Sequence, residues 1–386
     1  MTWRAQLDPA IWPAYLSSGA RILARRSRGH RRADGDAAAI CRAAVDACWT
    51  GAYLAASGGH FRQLWTRDLG FSSRALVSLG GRERVRASLA WALEAWAPAR
   101  RVTTTIFPGR RPRDVWTFGV DSLPMLLWSL REAAAEDLVL RHGGWLRFEV
   151  ERYARTVLDP ASGLVRDDRA FSTHRDTVRV RSSAYANAMV LVLDDILRAT
   201  GWFPSPVPAG AHDRFVAGFW RGDHFVDRSD GDEVTGDAMV VPFVFGVVPD
   251  ELGLAPALRA ARDAGLADPL PLRYARRRSP DEDPLQARLV PDYQGTAIWT
   301  SLGAWYLELL GRVDATAASA IADDFRRRIE TDGTLWEVFD GRATTVDRLR
   351  PYRGRGGLFV ADEAMLWAAN LAALLDRGPG VTPPTA

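Results

Sequence analysis

Lysine is missing altogether from the 386 residues: all 50 basic positions are arginine. They face 47 acidic residues scattered along the chain, which leaves a formal charge of +3 and no basic stripe. A nucleic-acid binder concentrates its positive charge on one face, so that class is set aside. Cysteine occurs only at Cys41 and Cys48. Seven residues of helix separate Cα atoms by about 10 Å, beyond disulfide reach, and free thiols suit a reducing cytoplasm. The six histidines are dispersed, with no HExxH and no pair at ligand spacing beside a carboxylate, so no metal and no other cofactor is expected. There is no GxSxG elbow, no Walker loop and no GxGxxG after a strand, and Gly354-Arg355-Gly356-Gly357 reads as a flexible loop. No apolar run reaches the ~20 residues of a membrane span. The first ten residues lack the apolar core of a signal peptide, and Trp12-Pro13 interrupts them. A cytoplasmic protein with no membrane partner is expected.

What the chain does have is helical periodicity. Apolar residues make up 47% and charged residues 25%, enough for a large core without staples. Helical spacing runs through 37–56, 67–79, 82–96, 122–135, 145–158, 183–199, 212–220, 237–247, 254–264, 295–310, 315–329 and 362–375. Strand signals are confined to 102–107 and 178–180. A dozen helices with no linker between them predict an all-α fold: an (α/α)6 barrel, a six-hairpin toroid with few short strands in its loops. An α-solenoid would share the local pattern. Residues 1–36 read as a basic helical extension, 37–376 as the barrel and 377–386 as a disordered tail.

The loops between helices hold the chemistry. Many of the 15 tryptophans stand beside charges there. An indole next to a polar group suits a sugar, whose C–H face stacks on the ring while its hydroxyls meet the charges. Simple gap-filling between helices is the plainer account of any one tryptophan. The first cluster, Phe61 to Asp68, places Asp68 in the first turn of a helix, where the dipole favours an anion. The second, Val115 to Ser122, ends on Asp121 in an N-cap position with Pro124 in the first turn. Aromatic neighbours would raise the pKa of that carboxyl and keep it an acid; capping alone is the blander account. The third, Asp332 to Gly341, sets Glu337 among bulky apolar residues in a short turn-bounded segment. Pointing to solvent from a strand is its plain alternative. Asp292 to Trp299, and His174-Arg175-Asp176 running on to Tyr185 and Asn187, read as further walls of a site.

Taken in this order, the segments resemble a group of α/α-barrel inverting glycoside hydrolases that includes neutral/alkaline invertases, glucosylglycerate and mannosylglycerate hydrolases, trehalases and amylo-α-1,6-glucosidases. Leu64-Trp65-Thr66-Arg67-Asp68 resembles the group's aromatic-x-Arg-Asp segment, Val120-Asp121-Ser122 its Asp-Ser segment, and Trp336-Glu337-Val338-Phe339-Asp340-Gly341 its Glu-Tyr-Tyr-Asp-Gly segment. Tyr293-Gln294-Gly295 through Trp299 is similar to its Tyr-x-Gly-x-x-Trp helix opening. Val338 stands where an aromatic residue is usual. The resemblance implies hydrolysis of a small α-glucoside with inversion, Asp121 acting as general acid and Glu337 as general base. Arg67 and Asp68 would anchor the sugar, with Trp65, Trp116, Trp299 and Trp336 as walls and Tyr185, Asn187, Tyr293 and Gln294 as further contacts. The implied partner is a small carbohydrate, and a homo-oligomer stays open. Two rivals remain: a sugar epimerase on the same barrel, marked by a pair of histidines converging on the pocket, and a carbohydrate-binding protein without catalysis.

Overall fold

The computed structural model describes residues 12–378 except Trp116, Thr177 and Leu358. The described helices are, in chain order, α1 (Trp12–Arg28), α2 (Ala37–Cys48), α3 (Thr66–Ser78), α4 (Arg82–Trp96), α5 (Ser122–Glu132), α6 (Glu136–Val157), α7 (Ala184–Thr200), α8 (Ala211–Phe219), α9 (Gly236–Val244), α10 (Leu254–Asp263), α11 (Pro284–Leu289), α12 (Thr300–Val313), α13 (Ala315–Asp332) and α14 (Ala368–Arg377). Packing sorts twelve of them into two rings. Helices α3, α5, α7, α9, α12 and α14 touch one another in that order, and α14 closes back on α3. Helices α2, α4, α6, α8, α10 and α13 pack around them. This is the (α/α)6 barrel.

The two rings differ in sequence for a physical reason. An inner helix meets neighbours on every side and is apolar nearly all round, as in α9, every residue of which is buried. An outer helix needs one stripe only. In α13 the buried apolar residues are Ala318, Ala322, Phe325 and Ile329, at helical spacing. Cys41 and Cys48 lie free and buried on α2. No helix among the described residues is long and apolar enough to cross a membrane.

Short strands knit the loops at one end. β1 (Leu64–Trp65), β2 (Thr105–Phe107) and β3 (Arg111–Arg113) form one antiparallel sheet, with Trp65 opposite Thr105. β4 (Ile298–Trp299) pairs antiparallel with β5 (Val338–Phe339), with Trp299 opposite Val338. Three expected helices begin or end at least five residues short of the periodicity, all at this end. The first stops at Cys48, where Trp49 turns extended. The segment before α12 is irregular, with Asp292 at φ 63°, and then pairs as β4. The last starts at Ala368 because 362–364 pair with 335–337 instead. Helical spacing of apolar residues persisted there because loop side chains also point into the core. Helix α11 was not expected, and α6 starts nine residues before the expected 145. Of the tail expected to be disordered, 377–386, Arg377 ends α14, and the residues from 379 onwards lie outside the described residues.

Close approach of inner helices depends on small residues. A Cβ on Gly70 of α3 would sit 2.6 Å from Cβ of Met125 on α5. Gly70→Ala is therefore expected to destabilise by about 1–3 kcal/mol, overpacking outweighing alanine's better helix propensity. A thermal melt at or above the wild-type Tm would contradict this account of the ring.

Candidate active site

The N-terminal ends of some inner helices line a cavity of about 230 Å³. Trp65, Trp299 and Trp367 occupy the same place in three of them, the N-cap of α3, α12 and α14, and all three line the cavity. Each indole thus stands where a helix dipole begins, beside donors that suit anions and sugar hydroxyls. Phe61, Tyr293 and Phe359 add aromatic wall. Phe71 closes the floor, its ring 4.5 Å from Trp305 and 5.0 Å from His174. Beyond Phe71, at the C-terminal ends of the inner helices, lies a separate cavity of about 180 Å³.

Among the described residues three carboxylates face the main cavity: Asp68, Asp176 and Glu337. Glu337 stands immediately before β5. Its Oε1 accepts from the Tyr293 hydroxyl and its Oε2 from the Asp362 N–H at 2.9 Å. Burial pushes its pKa up to about 7, against the lowering effect of those two donors; the charge of Asp362 behind it adds to the rise. Asp68, in the first turn of α3, is also pushed up to about 7 by burial, with Arg67 opposing and Glu337 and Asp176 reinforcing. Asp176 is raised too, by burial first, with Arg67 pulling it down.

The cation on the wall is Arg67, and its charge is already used. Its Nε donates to Asp121 Oδ2 at 2.6 Å and its NH1 to Asp176 Oδ2 at 3.1 Å. Asp121 lies behind it with no exposure, and Tyr185 donates a second hydrogen bond to the same oxygen at 2.6 Å. Asp121 holds the N-cap position of α5 without capping through its side chain, since Arg67 and Tyr185 draw the carboxylate away. It does not line the cavity.

Of the residues expected to form the site, Trp65, Arg67, Asp68, Tyr293, Gln294, Trp299 and Glu337 line the cavity, and Asp121, Tyr185, Asn187 and Trp336 do not. Tyr185 serves Asp121. The amide of Asn187 accepts from the Val165 N–H at 2.8 Å and donates to Ser182 Oγ at 2.9 Å, tying α7 to a neighbouring loop. Trp336 faces the other way, donating to Asp332 Oδ2 at 2.9 Å, its ring 4.7 Å from that of His30. The alternation along a strand puts it opposite Glu337. Trp116 lies outside the described residues. Asp176 is the carboxylate that sequence reasoning left without a role, although its segment had been read as wall. Phe359 and Trp367 carried no motif.

His174 is the histidine on the cavity wall among the described residues. Burial, with Arg67 and Arg175 nearby, holds its pKa well below the ordinary value, so it is neutral. A converging histidine pair, the mark of the epimerase alternative, is not assembled there.

No family model matches the chain, and no curated protein matches it. Its fold is similar to several solved structures. One is a glycosidase variant in complex with glucose, at TM-score 0.64 and 16% identity, over 90% of this chain and 98% of that one. Another is a GH63 mannosylglycerate hydrolase from Thermus thermophilus in complex with Tris and D-glycerate, at TM-score 0.56 and 14% identity, over 88% and 100%. A third is a GH78 family rhamnosidase from a Bacillus species, at TM-score 0.55 and 16% identity, over 90% of this chain and 35% of that one. Identities this low establish a shared fold.

The raised pKa of Asp68 has a consequence for stability. Between about 4 and 7 the folded state holds a proton that the unfolded chain releases, so this residue costs stability as pH rises through that window. Asp68→Asn removes the cost. Its Tm should match wild type near pH 4, exceed it progressively up to pH 7, and keep a constant advantage above. A Tm advantage independent of pH would refute this.

Proposed function

We propose that the chain is a glycoside hydrolase that cleaves a small α-glucoside with inversion, with Asp176 as general acid and Glu337 as general base. The observation that carries the reading is the wall itself: carboxyls with raised pKa values among tryptophans in a blind cavity, on a barrel shared with glycosidases. Inversion needs an acid and a base on opposite faces of the sugar. The loop bearing Asp176 leads into α7 and the loop bearing Glu337 leads towards α14, and these helices stand across the six-membered inner ring.

In the proposed step Asp176 delivers its proton to the glycosidic oxygen as the C–O bond breaks. Glu337 takes a proton from the water that attacks the anomeric carbon from the other side. A base with a pKa near 7 is matched to neutral pH, and burial supplies that match. Asp68 would bind sugar hydroxyls at the head of α3. Asp121 becomes the counter-ion that fixes Arg67 beside the acid, instead of the acid itself. Three carboxylates against one committed arginine make a poor site for an anionic leaving group, so sucrose or a gluco-oligosaccharide fits better than glucosylglycerate.

A proton NMR time course over such a panel tests the reaction: β-glucose should appear first from an α-linked substrate. Early α-glucose would refute inversion, and no cleavage with retained binding would favour a non-catalytic sugar-binding protein. The acid is decided separately. Asp176→Asn should lower kcat by about 10²- to 10⁴-fold on sugars with poor leaving groups, and far less on glucosyl fluoride, whose departure needs no proton. If that leaving-group dependence followed Asp121→Asn instead, Asp121 would be the acid.

A further inference from the structure

Outside the barrel, α1 sends Arg25 inward. Arg25, on its last turn, has a side chain only 11% exposed. Its NH1 donates to Asp362 Oδ1 at 3.0 Å, and its NH2 donates to the carbonyls of Val360 and Ala361 at 3.2 and 2.7 Å. It also lies 3.9 Å from Glu363, and its Cζ is 5.9 Å from the centre of the Trp336 ring. These partners belong to the two backbone segments that hold Glu337. The N–H of Glu337 donates to the Asp362 carbonyl at 2.9 Å, the N–H of Ala364 to the Leu335 carbonyl at 3.1 Å, and Trp336 bridges to Glu363. Asp362 in turn accepts from the N–H groups of His60 and Phe61, both at 2.9 Å, which fixes the loop that carries Phe61 to the cavity. Glycine is required at Gly59, where a Cβ would fall 2.0 Å from Asp362 Oδ1.

We propose that Arg25 is a positioning residue for the reaction: from the N-terminal helix it clamps the ladder on which Glu337 stands and neutralises the buried carboxylate behind it. This rests on the hydrolase reading for its kinetic consequence and on geometry alone for its effect on Glu337. The groups facing Glu337 are Tyr293, Asp362, His60 and Asp68, with Arg25 and Glu363 standing behind Asp362. Removing the cation leaves the charge of Asp362 less compensated, with only His60, whose Nδ1 lies 2.9 Å away, Ser57 and the backbone donors still beside it. Loosening the ladder lengthens the Asp362 N–H to Glu337 bond. Both changes make Glu337 hold its proton more tightly.

The test uses the full chain with Arg25→Gln, Arg25→Lys and, as control, Arg28→Gln on the exposed side of the same helix end. Glu337 is titrated by carboxyl ¹³C NMR, its resonance assigned with Glu337→Gln, and kcat/KM is measured against pH. Arg25→Gln should move the Glu337 titration and the acid limb upward by about half a unit or more. It should also lower kcat about tenfold or more at nearly constant KM. Arg25→Lys keeps the charge and loses the fork, so its titration stays near wild type and its kcat falls less. An unchanged Glu337 titration in Arg25→Gln would overturn the proposal, and so would an equal shift in Arg28→Gln. If Arg25→Gln does not fold, wild-type kcat in Arg25→Lys overturns it and a reduced kcat sustains it. If wild type cleaves none of the glycosides, the hydrolase reading fails by itself, and the titration alone decides the role of Arg25.

Discussion

A charge buried without a partner costs several kcal/mol, and this barrel buries many charges at one end. Arg67 shows how the cost is met. Its guanidinium joins Asp121 at the head of α5 to Asp176 on the loop before α7, while Tyr185 on α7 closes the knot from behind. Three of the six inner helices, α3, α5 and α7, are thereby registered at the cavity end. Replacing one member would leave another uncompensated, so the positions of these side chains are tightly coupled.

The same coupling divides labour between carboxylates of one chemical type. Asp121 takes Arg67 and Tyr185 on one oxygen and is the buried partner of Arg67. Burial would raise Asp362, but the His60 imidazole at 2.9 Å, then Arg25, Ser57 and two backbone N–H groups hold it well below the usual carboxylate range. For Asp68, Asp176 and Glu337 burial outweighs the donors and cations beside them, so their protons are held more tightly. Acid and base roles follow from such differences in surroundings, since the side chains themselves are nearly alike. Asp121 and Asp362 stand behind the cavity, and the carboxyls with raised pKa values face it. A substrate would therefore meet the groups able to exchange protons.

The N-terminal helix belongs to this arrangement. Beyond Arg25, His30 meets the Asp332 carbonyl at 2.7 Å and the Ala33 N–H reaches the Gly333 carbonyl at 2.8 Å. The extension is thus bound along the turn that leads to Trp336 and Glu337. An arginine-rich segment that reads as a solvated surface contains one residue whose place is set by a carboxylate more than three hundred positions away.

The double ring was legible in the dozen helical segments with no linker between them, whereas the sorting of helices into inner and outer rings came only from their packing. The aromatic and acidic loop clusters were legible too, because polar residues among tryptophans at helix starts have few structural uses. Seven of the residues they named line the cavity. What the sequence could not decide was which carboxylate faces the cavity and which stands behind it. Asp121 and Asp176 both follow aromatic residues and both precede inner helices; an arginine from a third segment separates their roles. Likewise Trp336 and Glu337 are adjacent, and the strand's alternation sends one to the N-terminal helix and the other to the cavity. Local pattern determines which elements form. The direction of each side chain depends on partners far away in the chain, and only the closed ring supplies them.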